Sequence, residues 1–214
     1  MAEEMMAVAE RDSAVRAKDL HAVFDSLTGD VPMSWMEDSG AEGQALALRA
    51  CRADMIVLGR PTAENEAAAL MTLNAALMQS GRPVLVAPPS GPLSFTHVGV
   101  FWNGSPEATR AVTAAPALFK TAAKVTVLRV EEEWFAPIED LEAFFVHHGI
   151  SISVVKVTPR AGGTGAALLM ATTDAGADMM VMGAYTRSKL RQLILGSVTG
   201  HIIQNADLPV LLCH

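Results

Sequence analysis

Ala53-Asp54-Met55-Ile56-Val57-Leu58-Gly59 recurs as Ala177-Asp178-Met179-Met180-Val181-Met182-Gly183, 124 residues further along the chain. A second pair, Pro83-Val84-Leu85-Val86 and Pro209-Val210-Leu211-Leu212, repeats at an offset of 126. Two matched segments at nearly one spacing indicate two copies of one structural unit. Each segment is a short apolar run, the pattern of a strand buried on both faces of a parallel sheet. Pro88-Pro89-Ser90-Gly91-Pro92 divides the copies, because such Pro/Gly clusters punctuate rather than continue regular structure.

Residues 93–214 read as a complete unit. His97 to Trp102 is a strand that ends in the turn Asn103-Gly104-Ser105, and Ser105 with Pro106 opens a helix running to about Ala122. Strands are expected over 124–130, 150–157, 178–182 and 208–213, and helices over 137–148, 164–175 and 196–206, with Thr164 capping the helix it opens. Strands that alternate with helices predict an α/β fold, a doubly wound parallel sheet with helices on both faces.

Residues 1–92 form a shorter copy. Subtracting the offset maps a helix to 13–24 and a strand to Val31-Pro32-Met33-Ser34, while the first strand, first helix and second strand have no counterpart. In a sheet of flavodoxin-like order 3-2-1-4-5 the first strand is central. Its absence leaves an open strand edge, which invites pairing with another chain, so a homodimer is expected.

Composition narrows the function. The 214 residues carry 16 Lys and Arg against 23 Asp and Glu, a net charge of −7. That balance argues against nucleic-acid binding, which needs a basic footprint. Residues 1–92 have a net charge of −6 and residues 93–214 of −1, so an anionic ligand is expected at the second copy. The acidic start lacks the basic region of a secretory signal. No apolar run approaches the roughly 18 residues that cross a bilayer. The expectation is a cytoplasmic protein without membrane association. Cys51 and Cys213, far apart and without metal-ligand spacing, are expected as buried free thiols.

The sharpest functional signal is Met182-Gly183-Ala184-Tyr185-Thr186, followed after nine residues by Gly196-Ser197-Val198-Thr199. Gly196 and Ser197 open a helix whose free N–H groups suit a phosphate. Arg187, Lys189 and Arg191 between them are the densest basic cluster in the chain. Gly183 ends the fourth strand and Asn103 follows the first, which brings both to the switch-point crevice if strand order reverses there.

This pattern resembles the universal stress protein family, specifically its tandem members, fully over 97–214 and in shortened form over about 13–88. The family motif is Gly, two residues, Gly, nine residues, Gly, then Ser or Thr. Gly183, Gly196 and Ser197 match it in register, and Thr186 stands at the second glycine. The resemblance implies an adenine-nucleotide alpha hydrolase-like fold and ATP, with Mg²⁺, as ligand. It implies that Asn103, standing where the family has Asp, meets the adenosine part, and that Val130 lines the adenine site. It further implies that Gly183, with Met182 before it, and Gly196, Ser197 and Val198 hold ribose and phosphates. It implies antiparallel pairing of the fifth strands, 83–87 with 209–213, in one continuous sheet. The first copy has Arg60-Pro61-Thr62-Ala63-Glu64-Asn65-Glu66 after Gly59, placing acidic residues where phosphates would lie, so its role is structural.

No general base or metal-binding carboxylate stands near these glycines. The expected function is therefore a stress-response sensor or regulator that binds adenine nucleotide, not an enzyme, with slow ATPase activity as a weaker option. The competing expectation is a dimerising scaffold that binds no nucleotide.

Overall fold

The computed structural model describes residues 2–27, 29–38, 42–91, 93–130, 138–159, 162–185 and 197–214. The chain divides into two compact units, Met1–Glu42 and Gly43–His214.

The first unit is built on one helix, α1 (Ala2–Ser26), which covers the helix expected over 13–24. Phe24 stacks on His21 and meets the Trp35 ring at 5.6 Å, and Trp35 Nε1 donates to Glu37 Oε1 at 2.8 Å. The strand expected at Val31-Pro32-Met33-Ser34 does not form. Pro32 has no N–H for a ladder, and among the described residues of this unit no strand exists for it to pair with.

In the second unit, α2 (Glu42–Ala50), of which all but Glu42 lies here, precedes β1 (Ile56–Gly59), α3 (Glu66–Gln79) and β2 (Val84–Ala87). The second copy follows as β3 (His97–Phe101), α4 (Pro106–Ala114), α5 (Pro116–Thr121), β4 (Lys124–Val130) and α6 (Ile138–His147). It ends with β5 (Ile152–Val157), α7 (Gly163–Ala175), β6 (Met179–Gly183), α8 (Ser197–Asn205) and β7 (Val210–Cys213).

All seven strands join one sheet in the order β1-β2-β7-β6-β3-β4-β5. Read within the second copy, β5-β4-β3-β6-β7 is the expected order 3-2-1-4-5. β2 and β7 pair antiparallel, Val84 opposite Leu212 and Val86 opposite Val210, while every other neighbouring pair is parallel. Residues 84–87 and 210–213 thus pair antiparallel in one continuous sheet, as the resemblance implied for 83–87 and 209–213.

Side chains alternate across the sheet into two apolar cores. Val98, Val100, Val125, Val127, Met179 and Val181 face Val112, Phe119, Leu141 and Phe145 of α4–α6. Phe101, Leu128, Val130, Met180 and Met182 face the other way, with Leu168 of α7, Ile202 and Ile203 of α8, and Leu73 and Leu77 of α3.

Three local expectations are corrected. The helix from Ser105 breaks at Ala115 (φ −114°, ψ 23°), because Pro116 starts a new turn and cannot donate to the old one. Thr164 does not cap α7; Gly162, at φ 107°, takes the cap position and Thr164 lies inside the helix. Cys51 is exposed in the turn after α2, where its thiol donates to Leu48 O at 3.0 Å; Cys213 is buried as expected.

Candidate functional site

β3 and β6 are neighbours, with β4 and β5 on one side and β7 on the other, so strand order reverses between them. In such sheets the carboxyl ends of the strands at this reversal frame a ligand crevice. Val98 pairs with Met179 and Val100 with Val181; on the other flank Phe101 pairs with Leu128, and Trp102 N continues the ladder to Leu128 O at 3.0 Å. Continued along the strands, this register sets Asn103 beside Val130 and Trp102 beside Gly183 at the carboxyl edge.

Asn103 lies in an Asx turn: its Oδ1 accepts from Ser105 N at 3.1 Å, and Gly104 supplies the left-handed φ of 73°. Ser105 Oγ then accepts from Ala108 N at 3.1 Å and caps α4, with Pro106 in the first position. The side chain of Asn103 is buried and turned onto its own loop. Val130 and Met182 are buried in the core on the α7–α8 side and form its floor near this edge.

Gly183 has a structural neighbour. A Cβ there would stand 2.5 Å from Ala108 N and 2.7 Å from Glu107 C, so the first turn of α4 packs directly on the end of β6. Thr186 and Gly196, with the basic cluster at 187–191, lie outside the described residues. Ser197 opens α8, and Val198 is half-buried one residue further along.

Two features escaped the sequence reading. Trp102 is 5% exposed, and its indole Nε1–H has no acceptor among the described residues. A buried donor left in this state costs about 1–3 kcal/mol. A tryptophan at the end of a central strand was the available signal. Tyr185, the chain's single tyrosine, adopts φ 63°, and its hydroxyl donates to Asn74 Oδ1 of α3. Its ring meets His214 edge-on at 5.8 Å, and His214 Nδ1 lies 3.2 Å from Ala184 O. Burial pushes the Tyr185 phenol up to about 12. The loop leaving β6 is thereby tied to the first copy and to the chain's last residue.

The loop that follows β1 is hydrogen-bonded to α8 and the turn after it. Arg60 Nη1 donates to Ala206 O at 2.6 Å and lies 3.4 Å from Asp207 Oδ1, and Gln204 Nε2 donates to Glu66 Oε1. Among the described residues no group of three or more His, Cys, Asp or Glu side chains could hold a metal ion, and no helix is long and apolar enough to cross a membrane.

Comparison with known proteins agrees with this architecture. Residues 146–214 match the model of the universal stress protein family. A universal stress protein from Archaeoglobus fulgidus superposes with a TM-score of 0.65 at 20% identity, covering 99% of this chain and 79% of that one. A functionally unknown protein from Pseudomonas aeruginosa PAO1 gives 0.55 at 11% identity, over 94% of this chain and 77% of that one. A putative universal stress protein from another Pseudomonas aeruginosa strain gives 0.51 at 13%, with the same coverage. No curated protein matches. Residues 146–214 are thus similar to the universal stress protein family, and the structural likenesses, at these identities, show the shared fold.

Proposed function

We propose that this protein binds an adenine nucleotide, ATP with Mg²⁺, at the switch point between β3 and β6, and acts in the cytoplasm as a stress-response sensor or regulator without efficient turnover. One observation carries the reading. The strand register sets Asn103 beside Val130 and Trp102 beside Gly183, at the carboxyl ends where strand order reverses. Adenosine offers acceptors, and Asn103, whose Oδ1 is engaged by Ser105 N, keeps its side-chain amide to donate to one. Gly196, Ser197 and Val198 would hold the phosphates at the opening of α8, where helix N–H groups favour anions. Mg²⁺ would neutralise phosphate charge there.

The scaffold reading draws on a different observation: α4 packed on Gly183 gives that glycine a purpose without any ligand. Calorimetric titration with Mg·ATP separates the two. Micromolar binding that is lost in Gly196→Glu supports the nucleotide site. No heat up to millimolar ATP leaves the scaffold.

A further inference from the structure

Tyr185 stands where the chain leaves β6, two residues after Gly183. Among the described residues it is the one non-glycine with a left-handed backbone, at φ 63°. An L side chain rarely adopts that conformation, because its Cβ crowds the neighbouring carbonyl. Such a residue persists only where its surroundings over-determine it, and an outlier of this kind beside a ligand crevice points to a functional constraint.

The surroundings of Tyr185 do impose its conformation. Ala184 N donates to Cys213 O at 2.8 Å, and His214 Nδ1 lies 3.2 Å from Ala184 O, so the preceding residue is fixed on both sides. The Tyr185 ring meets the His214 ring edge-on at 5.8 Å. Its hydroxyl donates to Asn74 Oδ1, 111 residues earlier and in the middle of α3. The neighbours of Asn74 on that helix, Leu73 and Leu77, are buried in the core that α3 shares with α7 and α8, which holds this acceptor in place. Because Ala184 is fixed, rotation about φ of Tyr185 swings the ring and the onward chain together. Anchoring the hydroxyl therefore also fixes the direction in which the backbone departs from the carboxyl edge.

We infer that Tyr185 is a positioning residue for the nucleotide site. Through its hydrogen bond to Asn74, α3, which contributes none of the ligand residues proposed above, sets the affinity of that site. In the nucleotide reading, on which this rests, Gly183 meets the ligand, and the backbone just beyond it has to be placed before the ligand arrives. A site that is competent in only part of the population binds with an affinity reduced by that fraction. The bond to Asn74 holds the competent conformation in the free protein, so less ordering is left to the binding step.

The test is calorimetric titration of the intact protein with Mg·ATP, for the parent, Tyr185→Phe, Asn74→Ala and the double variant. Tyr185→Phe keeps the ring and removes only the hydroxyl. Each single variant should weaken binding about fivefold to tenfold, and the double variant no more than either single one. Gln204→Ala removes a different bond to α3, from Gln204 Nε2 to Glu66 Oε1 at 3.2 Å, and should leave the dissociation constant within about twofold of the parent. Thermal melts without nucleotide confirm that every variant is folded at the temperature of titration. A dissociation constant unchanged in Tyr185→Phe, with the melt lowered, makes the bond a structural tie alone and overturns the inference while the nucleotide reading stands. Losses that add in the double variant overturn it too, as does a Gln204→Ala effect as large as that of Tyr185→Phe. Absence of binding by the parent protein overturns the nucleotide reading itself, and the positioning role falls with it.

Discussion

A Cβ on Gly183 would lie 2.5 Å from the backbone nitrogen of Ala108, so the end of β6 and the first turn of α4 are in direct contact because residue 183 has no side chain. The obstructing atoms are backbone and cannot rotate away. Gly183→Ala should therefore destabilise the fold by about 1–3 kcal/mol, the range for overpacking a tight contact. Gly59→Ala, at the equivalent position with open space around it, should stay within about 1 kcal/mol of the parent. Urea unfolding of the two variants checks the contrast.

Asp178 and Asp54 should part in the same way. Burial alone would raise the Asp178 carboxyl, but hydrogen bonds from Thr96, Ser94 and the His97 and Thr96 backbone outweigh it and hold the group at about 2 against 3.8. A depressed folded value stabilises the protein above the unfolded value, and that contribution fades as pH falls from about 4 towards 2. The group is only partly buried, so solvent screening limits the contribution to about 1 kcal/mol. Asp178→Ala also strands the donors at the start of β3 and should cost about 2–3 kcal/mol at neutral pH. Asp54→Ala should leave stability unchanged. Thermal melts between pH 2 and 7 measure both effects.

Much of the second copy is legible in its sequence because its elements are encoded locally. Apolar runs such as Val125–Val130 are long enough to declare strands, and Ser105-Pro106 opens a helix through its own cap. The β2–β7 pairing was reached only through the family resemblance, since nothing in Pro83–Val86 states which strand it will meet. The strand expected at Val31–Ser34 failed because strand formation is not local: a β run without a neighbour has no ladder. Of the candidate site, Asn103 and Gly183 could be placed from strand order, and Val130 only through the family resemblance. Trp102 could not, because an unsatisfied indole N–H becomes visible only when every surrounding acceptor has a position. The packing of α4 on Gly183 was hidden for the same reason.

The cysteines offer a check on burial. Burial pushes the Cys213 thiol up to about 11, partly offset by the Arg110 charge, whereas Cys51 is exposed. An aromatic disulfide reagent at neutral pH should titrate one thiol rapidly in the native protein and two in denaturant. Serine at position 51 should remove the fast phase.

Tyr185 anchors the loop that leaves β6. Tyr185→Phe removes its hydrogen bond to Asn74 and should cost about 1 kcal/mol. Because the folded phenol titrates near 12 rather than 10.0, its contribution is complete below pH 10 and is lost as pH rises through that interval. An ultraviolet pH titration of this single tyrosine should shift down to the ordinary value on unfolding.

The central claim is that nucleotide binds where β3, β4 and β6 end. Amide hydrogen exchange with and without Mg·ATP tests it most directly. The account predicts slowed exchange at 103–105, at the end of β4 and across 183–198, with the first copy's 59–66 loop unchanged. Equal exchange throughout, or protection confined to the first copy, would contradict it.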